Sequence, residues 1–197
     1  MITTIIFDLS EVYLHGLLGV EEYLGETLGI PISNADLFVP ELEQLFHGEI
    51  TEEAYWQALI AKHSWSLSVA DLKVAVRNNF REIKGTREII ESLKKNGYRL
   101  GLLSIHAKEW IVHCEKEFDY HRLFDSFMYS FEVAICKPEK KAFELMLQKL
   151  DVTPEECLFI DDSPKNTASA KDMGITVLDF TTPEQLKNDL IQLNIRL

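Results

Sequence analysis

Apolar and polar residues follow one another along this chain in two different textures. From about residue 84 onward, short apolar runs recur between amphipathic stretches bounded by breakers. Gly85-Thr86 opens a helix that Asn96-Gly97 closes, Tyr98–Leu103 reads as a strand, and Ala107–Phe118 is helical again. Phe127-Met128-Tyr129 is a brief strand, and Pro138 starts a helix that reaches Leu150. Thr153-Pro154-Glu155-Glu156 makes one capped turn before the strand Cys157–Ile160. Asn166–Met173 is a helix stopped by Gly174, Ile175–Leu178 is a strand, and Thr182-Pro183-Glu184-Gln185 caps a last helix. Short continuous apolar runs bounded by turn residues are strands buried on both faces. Glycine or asparagine just past a periodic stretch ends a helix.

Residues 16–83 have no convincing strand. They divide into helical stretches at Val20–Leu28, Ala35–Phe46 and Glu52–His63, with Thr51 as N-cap of the third. Ser68 with Asp71 forms a capping box for a fourth helix running to about Glu82. An apolar run at residues 2–7 precedes this block and belongs with the later strands. The expected fold is therefore α/β: a Rossmann-like parallel sheet with helices on both faces and right-handed crossovers, plus an inserted small helical cap. The expected strands are 2–7, 98–103, 126–129, 157–160 and 175–178, all parallel. Residues 1–15 with 84–197 form the expected core domain, and 16–83 the cap over its C-terminal edge.

Composition narrows the function more than the fold. With 197 residues and 46% apolar content, the chain is long enough to bury a proper core. A formal charge of −12, from 32 acidic and 20 basic residues, argues against a nucleic-acid partner, which would need a basic stripe. Cys114, Cys136 and Cys157 form no metal or disulfide spacing. The first residues lack the basic and apolar segments of a signal peptide, and no window approaches a membrane span. A cytoplasmic protein without membrane or obligate protein partner is the expectation.

Candidate chemistry collects at strand ends. Ile5-Ile6-Phe7 ends in Asp8, and Leu158-Phe159-Ile160 ends in the pair Asp161-Asp162. In open parallel sheets the C-terminal strand edge is where ligands bind. Three carboxylates at one edge repel one another unless a cation sits among them, and oxygen ligands without histidine or cysteine favour Mg²⁺. A carboxylate placed there can attack phosphorus. Ser104 ends the strand Leu102-Leu103 and offers a hydroxyl to a phosphoryl oxygen, while Lys137, in Ile135-Cys136-Lys137-Pro138, supplies a counter-charge. A nucleophile, a metal and a positive charge are the main requirements of phosphoryl transfer.

These four segments, in this order, resemble the haloacid dehalogenase-like hydrolase superfamily over nearly the whole chain. Gly48-Glu49-Ile50 with Trp56, Leu123-Phe124-Asp125, Glu132-Val133 to Lys137-Pro138, and Phe159-Ile160-Asp161-Asp162 are most similar to one subgroup. It holds sugar-phosphate phosphatases of the glucose-1-phosphate phosphatase type and the N-terminal phosphatase domain of soluble epoxide hydrolases. The resemblance implies that Asp8 is the nucleophile, Ser104 the phosphate-binding hydroxyl and Lys137 the stabilising lysine. It implies Asp8, the Ser10 carbonyl, Asp161 and Asp162 as Mg²⁺ ligands, Asp162 directly or through water. The implied substrate is a small phosphorylated metabolite, a sugar phosphate among the candidates.

The chain departs from that pattern at two positions. Ser10 stands where family phosphatases carry a second aspartate as general acid and base, and a hydroxyl protonated near neutral pH cannot activate water. The missing acid–base contribution is typically about 10²–10⁴-fold. Ile105 replaces an asparagine that often contacts the phosphate. The alternative to an active phosphatase is a catalytically weak or inactive member that binds a phosphorylated ligand or a protein partner. Dehalogenation, which uses such an aspartate without a metal, is opposed by Asp161-Asp162. His106 either touches substrate or is a solvated loop histidine, and the turn His47-Gly48-Glu49 either links cap helices or faces the site. Tyr55, Trp56 and Trp65 read as cap core.

Overall fold

A computed structural model describes all of residues 1–197. Five strands form one parallel sheet in the order β3-β2-β1-β4-β5: β1 (Thr4–Phe7), β2 (Arg99–Ser104), β3 (Ser126–Tyr129), β4 (Cys157–Asp161) and β5 (Thr176–Asp179). The expected strands are all present, shifted by a residue or two at their ends.

Side-chain alternation sends each strand's residues to two separate cores. Ile5, Phe7, Leu100, Leu102, Leu158 and Ile160 join the larger apolar cluster. Ile6, Leu103, Met128, Cys157 and Phe159 join the smaller one on the opposite face. The helices between β1 and β2 are α1 (Val20–Leu28), α2 (Asn34–Leu37), α3 (Pro40–Phe46), α4 (Glu52–His63), α5 (Val69–Asn79) and α6 (Thr86–Lys95). After β2 come α7 (Lys108–Phe118), α8 (Ser130–Val133), α9 (Lys140–Leu150), α10 (Pro164–Lys171) and α11 (Pro183–Gln192). Helices α6, α7 and α11 bury Ile90, Leu93, Trp110, Leu186 and Leu190 in the larger cluster, whereas α9 and α10 bury Phe143, Met146 and Ala170 in the smaller.

Helices α1–α5 fall between residues 20 and 79, and their core side chains, Tyr55, Trp56, Leu72 and Val76 among them, belong to the larger cluster too. Tyr55, Trp56 and Trp65 are buried, as their apolar setting suggested.

Four local expectations are corrected. The stretch expected as one helix over Ala35–Phe46 is two, because Pro40 has no N–H to donate and instead begins α3 at its first turn. The helix expected to reach Glu82 stops at Asn79, since residues 81–83 pair in extended form with the loop after β1: His15 N–H donates to Arg81 O and Ile83 N–H to Tyr13 O, both at 2.9 Å or less. The helix expected from Pro138 begins at Lys140, after a turn closed by Glu139 N–H to Cys136 O. The helix expected at Asn166–Met173 starts and ends two residues earlier, with Pro164 at its first turn.

Candidate active site

Strand register builds the site. Phe7 pairs with Ile160 on one side and Leu102 on the other, so the next residues along the two strands, Asp8 and Asp161, lie side by side where the sheet ends. Asp8 N–H donates to Ile160 O at 2.9 Å and fixes this level. Carboxylate oxygens of Asp8, Asp161 and Asp162 all lie within 4.8 Å of one another, Asp162 being the most exposed.

The turn from β4 into α10 orients Asp161. Its Oδ1 accepts from Ser163 N–H at 2.8 Å and from Asn166 Nδ2 at 3.0 Å, and its Oδ2 accepts from Lys137 Nζ at 2.6 Å. Asn166 is a positioning residue that sequence reading did not single out; its spacing of five from Asp161, on the first turn of the next helix, was the available signal. Asp8 Oδ1 accepts from Leu9 N–H at 2.7 Å and lies 2.9 Å from Lys137 Nζ. Lys137 thus bridges the two carboxylates from the loop before α9.

The electrostatics follow from burial. Desolvation pushes the Asp8 carboxyl up to about 7, Lys137 opposing this and Asp161 adding to it. Burial alone would discharge Lys137, but the adjacent Asp8 and Asp161 outweigh it and hold its pKa above the ordinary lysine value. Burial, then Asp161, raises Asp162. One ammonium is not enough charge for three carboxylates, and the donor set is oxygen alone. Those are the properties of a hard divalent cation site, so the residues present fit Mg²⁺.

Ser104 ends β2 beside this edge. It is buried, and its hydroxyl has no hydrogen-bond partner, which is uncommon for a buried polar group and marks a place for a ligand atom. Ile105, half-buried, and His106 follow it. Of the two readings of His106, the solvated one is excluded: it is 3% exposed, edge-on to Trp110 at 5.7 Å and held through its backbone N–H to Ser130 Oγ. Burial lowers its pKa to about 4, so it is neutral at pH 7. Its Nδ1 accepts from Ala107 N–H at 3.1 Å, the better of its two contacts to Ala107, which leaves the ring proton on Nε2.

A cavity of about 250 Å³ opens on the acidic cluster and is bounded by Asp8, Ser10, Glu11, Ile105, His106 and Asp162, closed by apolar side chains. Ser104, Lys137 and Asp161 are buried and do not line it. The turn His47-Gly48-Glu49 is not on it; Gly48 packs instead on the backbone of Phe131. Ser10 lines the cavity, with its hydroxyl close against Gly16.

Comparison with known proteins agrees with this geometry. Rat bifunctional epoxide hydrolase 2 is 27% identical over 210 aligned positions, covering 92% of this chain and 37% of that protein. The phosphorylated carbohydrates phosphatase of Thermotoga maritima is 27% identical over 95 residues, 48% of this chain and 44% of that one. The chain thus spans less than half the length of these relatives. Among solved structures, a HAD family enzyme of Bacteroides thetaiotaomicron in complex with magnesium and inorganic phosphate superposes with a TM-score of 0.78 at 20% identity, over 92% of this chain and 96% of that one. A HAD-like family hydrolase of Porphyromonas gingivalis gives 0.80 at 23% identity over the full length of both chains. No helix is long and apolar enough to cross a membrane. The family model for haloacid dehalogenase-like hydrolases matches residues 39–180, and the chain belongs to that family.

Proposed function

We propose that this protein is a Mg²⁺-dependent phosphatase of small phosphate monoesters, acting through a phosphorylated Asp8. The observation that carries the reading is the meeting of Asp8, Asp161 and Asp162 within 4.8 Å at a parallel-sheet edge, with Lys137 on Asp8 and Asp161. The names of the relatives, a phosphorylated carbohydrates phosphatase among them, support the same class.

In this reading Asp8 attacks phosphorus: the Asp8 Oδ–phosphorus bond forms as the ester P–O bond breaks, and the leaving alkoxide takes its proton from solvent water. Water then attacks the phosphoaspartate, releasing inorganic phosphate and restoring Asp8. Lys137 holds the nucleophile by a charge-assisted hydrogen bond and offsets charge on the phosphoryl group. The unpartnered Ser104 hydroxyl donates to a phosphoryl oxygen. Asp8, the Ser10 carbonyl, Asp161 and Asp162 would hold Mg²⁺, which would supply positive charge to the transferring group. Residues 16–83 serve as the cap over the site.

Ser10 favours a second reading, a weak or inactive member that retains phosphate binding. One experiment separates the two. A panel of phosphate monoesters is assayed with and without Mg²⁺, beside Asp8→Asn. Mg²⁺-dependent turnover lost in Asp8→Asn is the expected result; phosphate binding without turnover of any ester would favour the second reading.

A further inference from the structure

Six of the eleven residues that line the acidic cavity are hydrophobic. Leu17, Leu18, Phe38, Phe46, Ile105 and Trp110 face it, four of them from the helical insertion and its lead-in. The polar atoms near them are already committed. Trp110 Nε1, its only polar side-chain atom, donates to Glu52 at 2.8 Å. Glu11 accepts from Gly16 N–H at 2.7 Å and pairs with His15 at 3.2 Å. Asp8 and Asp162 belong to the acidic cluster. The Ser10 hydroxyl and His106 Nε2–H are the side-chain donors left on the wall, and no lysine or arginine lines it.

A second cavity of about 300 Å³ shares Phe38, Phe46 and Ile105 with the first and continues over Val39, Leu42 and Cys136. The only charged residue there is Glu43. An apolar track therefore runs from the acidic cluster outward between α3 and the end of β2. A polyhydroxylated alcohol placed on it would find only the Glu43 carboxylate, and at the inner end the Ser10 hydroxyl and His106 Nε2–H, to replace its water, at a cost for each hydroxyl left unpaired. A second anionic group would meet Glu43 with no cation to receive it. A hydrocarbon or aromatic alcohol would bury its surface against aromatic faces at no such cost.

We infer that the site selects phosphate monoesters whose alcohol is an alkyl or aryl group rather than a sugar, with Phe38 and Phe46 as the specificity-determining residues. The inference rests on the phosphatase reading for its chemistry, but it is a statement about binding and can be tested apart from turnover. Phe38 is 51% exposed, so its replacement leaves the fold intact.

Octyl phosphate, below its micelle concentration, and a hexose 6-phosphate are titrated calorimetrically into Asp8→Asn protein with Mg²⁺, and into the same protein carrying Phe38→Ala. The expected result is octyl phosphate binding at least about tenfold tighter than the hexose phosphate, with most of that ratio lost in Phe38→Ala. Equal or tighter binding of the hexose phosphate, no binding of either, or a ratio indifferent to Phe38→Ala overturns the inference. Initial rates of the wild type toward both esters keep the two ideas distinct. Turnover of the hexose phosphate alone would remove the inference and leave the phosphatase standing. Selective octyl phosphate binding with no hydrolysis of any ester would do the reverse.

Discussion

Trp110 on α7 donates its indole N–H to Glu52 on α4 at 2.8 Å, which joins these two helices through a carboxylate that is 1% exposed. Glu52 also accepts from Trp56 Nε1 at 3.2 Å and from both terminal nitrogens of Arg77 at 2.7 Å. Burial acts to raise its pKa, but Arg77 and the two indoles outweigh it and hold the carboxyl below the ordinary glutamate value. Replacement by alanine leaves two indole donors without an acceptor and Arg77 with only Lys73 O, and is expected to cost about 3 kcal/mol. A urea unfolding midpoint measured with an unchanged slope checks this.

The same bond set makes a pH prediction. Because the folded pKa lies below the unfolded one, the stabilisation is complete above an ordinary value near 4.5 and is lost as pH falls through the lower folded value. Wild type is therefore expected to lose stability relative to Glu52→Gln as pH drops from about 5 to about 3, the glutamine being unable to titrate. Parallel stability–pH curves for the two proteins would contradict it.

Gly48 closes the turn between α3 and α4 at φ +72°, and a Cβ there would lie 2.8 Å from Phe131 O. Gly48→Ala is thus strained twice, by its backbone and by a clash with a carbonyl that α8 holds in place. A loss of at least about 1 kcal/mol is expected. Chemical denaturation of this variant beside Gly97→Ala separates the two causes, because Gly97 has φ +86° but nothing within 4 Å of its Cβ position. Equal losses would mean that the Phe131 contact contributes nothing.

What the sequence showed of this molecule depended on where each residue sits on its element. Asp8, Ser104 and Asp161 were legible because each ends an apolar run, and in a parallel sheet those ends share one edge. Lys137 was legible from its place before a proline, although its bridge between Asp8 and Asp161 needs the chain folded. The cavity wall was not legible. Phe46 and Trp110 occupy apolar helix positions identical in pattern to core positions such as Leu45 and Ile111, and only the approach of α3 to α7 turns them toward the site. The burial of His106 was not legible for a related reason: its loop is covered by Phe80 and Trp110, which come from distant elements. The break at Pro40 was written in the sequence, as a proline at the first turn of a second helix, and was passed over because both segments share apolar spacing.

If the three carboxylates hold Mg²⁺, the ion binds the folded chain and not the unfolded one, and stability rises with its concentration. Wild type is expected to melt higher in Mg²⁺ than in chelator, by RT ln(1 + [L]/Kd), or about 2.7 kcal/mol at a hundredfold excess over Kd. Asp161→Asn removes the ligand that Ser163, Asn166 and Lys137 orient and should abolish the dependence. Scanning calorimetry across a Mg²⁺ series checks both; a melting temperature indifferent to Mg²⁺ in the wild type would rule the site out.

Ser10→Asp tests whether the missing carboxylate limits turnover. Ser10 lines the cavity, and a Cβ added at Gly16 would sit 3.1 Å from its hydroxyl, so the side chain lies against that backbone. Aspartate is longer by one atom, and Ser10 lines the cavity, so its carboxylate is expected to reach into it. There it can take a proton from water attacking the phosphoaspartate, and the expected gain is up to about 10²-fold in phosphoenzyme hydrolysis. It also adds a fourth negative charge to Asp8, Asp161 and Asp162, so KM for the ester is expected to rise. Single-turnover decay of the phosphoenzyme at saturating Mg²⁺ reads the first effect and steady-state kinetics the second. A decay slowed by Ser10→Asp would mean that another group already activates the water. His106 is poorly suited to that task, because its Nδ1 is taken by Ala107 N–H and its Nε2 carries the proton. Glu11, which lines the same cavity with a carboxylate held by Gly16 N–H, would be the next residue to replace, with Glu11→Gln keeping that hydrogen bond while removing the base.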